Sequence, residues 1–380
     1  METQTQNLLG LTRPELSAFV QSLGAPAYRG TQLFTWLYGK GVRRFAAMTD
    51  LGKSFRSDLT SVATIEGIIP VTERRSSTDG TTKFLFALQD GLTIESVLIP
   101  PASAFRGPEA AREDEQTRMT LCVSTQVGCP LDCAFCATGT MGFHRNLAAG
   151  EIVDQILQVH RLSRKKITNI VFMGMGEPLL NYEHVMNAVE IITAGIGVAA
   201  KRITISTAGR ADKIRRMGDE RRRPKLAVSL HSAVDETRTK LMPINKKYNL
   251  ATLLAALEFY YACTKQRITY EYIFFDGIND TEKEVAALIR FARRVPCKIN
   301  VIPFHSIAFT GPKGFPAQLR PSLRWERIVD ELRARNLTVM VRSSAGEDIE
   351  AACGQLAVNL ENFRETPVAS SPRVQHRVTV

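Results

Sequence analysis

No apolar run in the 380 residues approaches the roughly 18–20 needed for a membrane-spanning helix. The stretch Met1 to Leu16 is polar and has no apolar segment ending in a small-residue cleavage site. No secretory leader and no membrane association are therefore expected, and the predicted compartment is the cytoplasm. A disulfide framework is missing too. Seven cysteines are an odd number and too sparse to staple a secreted scaffold. Cys122, Cys129, Cys133 and Cys136 crowd one short stretch, while Cys263, Cys297 and Cys353 stand apart. That pattern predicts reactive or metal-binding thiols in a reducing compartment. Acidic residues are in deficit: 38 Asp and Glu face 49 Lys and Arg, for a net charge of +11. The excess favours a polyanionic partner. It falls in dispersed clusters such as Arg43-Arg44, Arg74-Arg75, Arg221 to Arg223, Lys246-Lys247 and Arg293-Arg294, which suit a broad RNA footprint. The remaining composition, 44% hydrophobic and 23% charged, is that of an ordinary globular chain.

Three regions are predicted, followed by a disordered tail over 366–380. Residues 1–60 read as a helical module. Thr12 before Pro14-Glu15-Leu16 marks a helix start, and a second helix carries Leu33, Phe34, Trp36 and Leu37. The module, with Tyr28, Arg29 and Trp36, is a candidate RNA contact, although Phe34, Trp36 and Leu37 are assigned to its own core. Residues 61–118 read as a short β linker. Ile65–Val71, Thr81–Leu88 and Leu92–Ile99 are strand-like and are separated by Asp79-Gly80 and Asp90-Gly91, both hairpin turn signals. A mobile loop is expected over 101–117. From residue 119 to 365, strand-like runs alternate with helical ones, which predicts an α/β fold with a parallel sheet closed into a partial barrel. Chemistry in such barrels sits at the C-terminal ends of the strands.

The strongest chemical signal is Cys129-Pro-Leu-Asp-Cys133-Ala-Phe-Cys136, a C-x3-C-x2-C on the loop after the first barrel strand. Three thiolates on one loop can ligate three irons of a [4Fe–4S] cube and leave the fourth open. The competing use is zinc, which favours four tightly paired ligands; Cys122 and His144 are the nearby fourth candidates. After the second strand comes Met173-Gly-Met-Gly-Glu177-Pro178, whose glycines allow close backbone approach. Taken alone, Cys122 and Cys353 are most simply small buried side chains, and His231 a structural histidine.

The string Gln126-Val-Gly-Cys-Pro-Leu-Asp-Cys-Ala-Phe-Cys-Ala-Thr-Gly followed by Gly142-Phe-His-Arg-Asn-Leu resembles the RlmN/Cfr family of radical S-adenosylmethionine (SAM) RNA adenine methyltransferases. Arg29-Gly-Thr-Gln-Leu-Phe, Ile94-Glu95-Ser-Val-Leu-Ile-Pro and Ala351-Ala-Cys353-Gly-Gln-Leu extend the resemblance over nearly the whole chain. One departure is Ala345, where many relatives carry a basic residue.

The resemblance implies a partial (β/α)6-type radical SAM barrel with an N-terminal helical module and a short β linker. It implies a [4Fe–4S] cluster on Cys129, Cys133 and Cys136, and SAM contacts at Gly176, Glu177, Ser206, Ser229, Leu230, His231 and Asn300. It further implies that Cys353 carries a methyl group taken from a first SAM. A second SAM yields the radical that activates this methyl group for addition to adenine. Cys122 then frees the product by forming a disulfide with Cys353, and Glu95 accepts the ring proton. The implied substrates are 23S rRNA at the peptidyl-transferase centre and tRNA beside the anticodon, methylated at adenine C2. Methylation at C8, or a non-catalytic zinc-stabilised RNA-binding protein, are the alternatives. An electron donor such as flavodoxin is the further expected partner.

Overall fold

The computed structural model describes residues 5–101 and 118–358. The loop expected over 101–117 lies, apart from its first residue, outside them, as does the tail expected over 366–380.

The N-terminal module starts where its sequence signal lies. Glu15 reaches back to accept from the Thr12 backbone N–H at 2.7 Å, opening the helix Arg13–Ser22. Helix Tyr28–Phe34 continues through a wider turn over Thr35–Gly39, and helix Lys53–Val62 follows. Phe34 and Leu37 are buried as expected of the module's core, and Leu16, Val20 and Leu33 are buried with them. Trp36 departs from that expectation. It is only partly buried, with Lys40 Nζ 3.4 Å from its ring centroid. Strands β1 (Gln6–Asn7) and β2 (Ala63–Thr64) pair in parallel and close the module.

The module is fastened to the rest of the chain by backbone proximity and by one buried acid. A Cβ on Gly10 would lie 2.4 Å from Gly150 N, so the two glycines let the segments touch. Asp154, fully buried on helix Ala149–Ser163, pairs with Arg43 and accepts from Ile68 N at 2.8 Å. That tie explains a shifted strand. The run read as Ile65–Val71 is spent at its start on Asp154, so β3 forms only over Ile69–Arg75.

β4 (Thr82–Ala87) and β5 (Thr93–Ile99) complete an antiparallel meander. It is not a free linker. β5 pairs with β6 (Thr120–Cys122), so the meander extends the barrel sheet. After β6 come the short strands β7 (Gln126–Gly128) and β8 (Phe143–Asn146), then β9 (Asn169–Phe172), β10 (Ile203–Thr207), β11 (Lys225–Ser229), β12 (Ile268–Tyr272), β13 (Cys297–Val301) and β14 (Val339–Val341). Among the described residues one sheet of ten strands runs β14-β13-β12-β11-β10-β9-β6-β5-β4-β3. From β6 to β13 its neighbours are parallel, giving the six strands of the expected partial barrel, and the three-residue β14 adds one more. Helices including Ala149–Ser163, Tyr182–Ile191, Ala211–Asp219, Leu250–Thr264 and Glu282–Ala292 connect these strands. Such crossovers bury both faces of the parallel strands. No helix among the described residues is long and apolar enough to cross a membrane.

Candidate active site

The three-cysteine loop is held at its base. β7 and β8 pair antiparallel on either side of it, and Cys129 N–H donates to Gly142 O at 2.9 Å. Its far side is pinned to the barrel by Ala134 N–H donating to Leu241 O at 2.9 Å. Burial is the main cause that pushes the thiols up, Cys129 to about 12, and the mutual charge of the cysteines adds to it. As thiolates they therefore need a cationic partner close by. No three His, Cys, Asp or Glu side chains among the described residues close around a single metal ion. Three thiols on one loop can each hold a separate iron, whereas zinc favours four closely paired ligands.

Loops after neighbouring strands are locked together beside this one. Gly176 has φ +96°, and a Cβ there would lie 2.5 Å from Gln126 Cβ, so only glycine fits. Glu177 N–H donates to Gln126 Oε1 at 2.8 Å. The Glu177 carboxylate accepts from Leu179 N at 3.0 Å and Ala208 N at 2.7 Å, joining the ends of β9 and β10. Ser206 and Ser229 are half-buried at the ends of β10 and β11, and Asn300 lies in the same row as Ser229 through register with Glu271. Leu230 is sealed. Its N–H goes to Glu271 O, and its carbonyl accepts from Ser232 N–H and Arg238 Nε. His231 is 2% exposed and packs edge-on against Phe135 of the cysteine loop, with ring centroids 4.4 Å apart. Its Nδ1 accepts from Ile273 N–H at 3.1 Å, and burial lowers its pKa to about 3, so the ring is neutral. The residues expected at SAM thus gather along one end of the sheet, with Leu230 and His231 inside its packing.

Cys353 comes to this end on a strap formed by residues 343–358. One side of the strap ties to the meander: Gly346 N–H donates to Asp79 Oδ2 at 2.7 Å and Ser77 N–H to Asp348 Oδ2 at 3.1 Å. The other ties to the cysteine loop: Ala137 N–H donates to Gly354 O at 2.7 Å and Thr138 Oγ1 to Leu356 O at 2.6 Å. Between these anchors Cys353 and Cys122 line one cavity, together with Val171, Met173, His305 and Arg342. Ala345 lines it as well. Both cysteines are free thiols, so the disulfide implied by the resemblance is not present. Burial pushes the Cys122 thiol up to about 12.

Glu95 does not line that cavity. It sits on β5, whose Val97 pairs with Cys122, and it is fully buried with Lys83 Nζ 3.3 Å from Oε1. Burial raises its pKa and Lys83 opposes the rise. Lys83 also donates to Glu350 O of the strap at 3.2 Å, so it links the acid to the segment carrying Cys353.

Several residues of the site had no motif to mark them. Arg238 is fully buried and donates to the carbonyls of Ala208, Ser229 and Leu230 and to Asn245 Oδ1, stitching together the ends of β10 and β11. Glu271 is a carboxylate inside a fully buried strand, and Arg342 follows directly on β14. For these two the signal is a charge within or just past a strand-like run, whereas Arg238 lies on the helix Asp235–Leu241.

Known proteins with this arrangement are close in sequence. Residues 6–65 match the ribosomal RNA large subunit methyltransferase N-terminal domain, and residues 123–289 match the radical SAM superfamily. A probable dual-specificity RNA methyltransferase RlmN of Flavobacterium psychrophilum is 43% identical over 363 residues, covering 94% of this chain and 99% of its own. The dual-specificity RNA methyltransferase RlmN of Syntrophobacter fumaroxidans is 43% identical over 350 residues, covering 91% and 96%. A crystal structure of a radical SAM methyltransferase from Sphaerobacter thermophilus superposes with a TM-score of 0.80 at 40% identity, covering 92% of this chain and 98% of that one.

Proposed function

The chain belongs to the RlmN family of RNA methyltransferases in the radical SAM superfamily, and we propose that it methylates C2 of adenosine in 23S rRNA and in tRNA beside the anticodon. Cys353 is the methyl carrier, Cys122 the thiol that releases the product, and Glu95 the proton acceptor. Cys129, Cys133 and Cys136 would hold a [4Fe–4S] cluster, which would supply the one-electron reduction that cleaves SAM to a radical, with a donor such as flavodoxin as the source of the electron. Gly176, Glu177, Ser206, Ser229, Leu230, His231 and Asn300 form the SAM side of the site.

The observation that carries this reading is the strap. It is bonded to the cysteine loop on one side and to the meander with Glu95 on the other, and it holds Cys353 in one cavity with Cys122. Adenine C2 is electron-poor and its hydrogen is not acidic, so direct SN2 methylation there fails. A thiol that first takes the methyl group solves this, and a second thiol is then needed to break the carrier's bond to the base. The target adenosine has to leave its stack to reach a cavity of this kind.

Two substitutions separate the thiols' roles. Cys353→Ala is expected to abolish both protein methylation and RNA methylation. Cys122→Ala is expected to accumulate RNA joined to the protein, seen as a nuclease-sensitive heavy band on a denaturing gel, and the double variant should lose that band. Normal turnover by Cys122→Ala would overturn the assignment. Mass spectrometry of the modified nucleoside against 2-methyl- and 8-methyladenosine standards decides the carbon.

A further inference from the structure

Arg342 reaches the carrier sulfur, and nothing in the proposed chemistry yet uses it. Its backbone N–H donates to Val301 O at 2.9 Å, which fixes it at the end of β14. Its Nη1 lies 3.6 Å from Cys353 Sγ and 3.6 Å from Met173 Sδ. The same Nη1 is 3.8 Å from Glu271 Oε2, just beyond hydrogen-bond reach. Glu271 is 3% exposed. Its Oε1 accepts from Asn300 Nδ2 at 3.1 Å, whereas Oε2 has no hydrogen-bond donor among the described residues. A buried carboxylate oxygen without a donor is costly, as is a buried thiolate without a cation. One guanidinium therefore faces two claimants, a sulfur and a carboxylate.

We propose that Arg342 is the positioning residue of the methyl carrier: its guanidinium holds the Cys353 sulfur in place in the cavity, and Glu271 takes that guanidinium over once the sulfur is methylated. This deepens the proposed function and rests on its assignment of Cys353. In the methyl-transfer step a sulfur lone pair forms the new S–CH3 bond while the sulfonium S–CH3 bond of SAM breaks. S-adenosylhomocysteine leaves with the bonding pair, and the thiolate and sulfonium charges cancel. The thioether that results is neutral and a weak acceptor. The anion then nearest Arg342 is Glu271, so the methylated side chain is released from its clamp at the point in the cycle where it has to move toward adenine. Because Asn300 holds the other oxygen of Glu271, the carboxylate stays in place to receive the arginine.

The test uses the full chain without its cluster and reads the chemistry of one thiol. Iodoacetamide labelling of Cys353 at neutral pH is followed by peptide mass spectrometry, with buried Cys297 as the internal folding control. Arg342→Gln is expected to slow Cys353 labelling by about tenfold or more, since the thiolate is the reactive form. Arg342→Lys is expected to restore most of the rate, because charge rather than shape is what the sulfur requires. Labelling of Arg342→Gln at the native rate, or Arg342→Lys no faster than Arg342→Gln, overturns the proposal. If Arg342→Gln loses its fold, seen as fast labelling of Cys297, the native chain decides the matter. After methyl iodide treatment that methylates Cys353, a crystal structure should show Arg342 in hydrogen-bond contact with Glu271, and an unmoved guanidinium overturns the handover. Neither readout involves RNA. A protein that methylates no RNA would sink the proposed function and leave these outcomes standing, and the converse also holds.

Discussion

At the scale of single residues, two buried titratable groups give measurable consequences. His231 stays neutral in the folded chain to about pH 3 because burial and nearby Arg238 oppose its protonation. In the unfolded chain an unperturbed histidine takes up its proton near pH 6.5. Between these values the unfolded state binds more protons, so stability falls as pH falls, by up to about 1.4 kcal/mol per unit. His231→Asn keeps an acceptor for Ile273 N–H and tolerates the left-handed φ of +53°. Urea unfolding of the cluster-free variant is expected to lose part of this acid sensitivity, and an unchanged slope from pH 6.5 down to 4 would show that the ring does not titrate this way. Lys83 gives the second case. It is the cation beside fully buried Glu95, and breaking a buried pair costs about 3–5 kcal/mol. Lys83→Met should lower the unfolding free energy by that order. Lys83 also holds the Glu95 pKa down, so its loss should move the acid limb of methylation to higher pH, because Glu95 has to be ionised to accept a proton. A pH–rate profile in which that limb stays in place would argue against Glu95 as the base.

At the scale of elements, the loops after the strands matter more than the strands themselves. The Met173–Pro178 turn is tight because Gly176 lies against the side chain of Gln126, which in turn accepts from Glu177 N–H. Gly176→Ala would combine a strained φ with a clash, and it has to push Glu177 away from Ala208 N. The expected outcome is SAM binding weakened about tenfold or more by calorimetry. Native SAM affinity in this variant would remove the turn from the binding site. The strap is the other decisive element. It has little regular structure, only a short turn over Glu347–Ile349. Its position comes instead from hydrogen bonds to residues more than 200 positions away, such as Thr138 to Leu356.

At the scale of the whole molecule, the helical module, the meander and the barrel share one core that runs from Leu8 to Leu356. The Gly10–Gly150 approach and the Asp154 ties make the module part of the barrel's flank. A net charge of +11 on such a body suits an extended polyanion. RNA affinity is expected to fall by about a thousandfold or more between roughly 50 and 200 mM salt if six or more phosphates are contacted. Filter binding over that range is the measurement, and a flat profile would assign the charge another purpose.

The sequence by itself determined the local features. The C-x3-C-x2-C loop, the Thr12–Glu15 helix start, the Asp-Gly turns and the strand–helix alternation are each set by neighbours a few residues apart, so spacing alone reveals them. It also disclosed the family, because long strings of residues are shared. Tertiary structure decided what depends on distant partners. It joined the meander to the barrel sheet and left Trp36 half-exposed. It drew Asp154 to Ile68 and so shifted β3. It also set Arg342 between Cys353 and Glu271. A charged side chain inside a strand-like run has no periodicity to declare its partner, and only the folded packing supplies one.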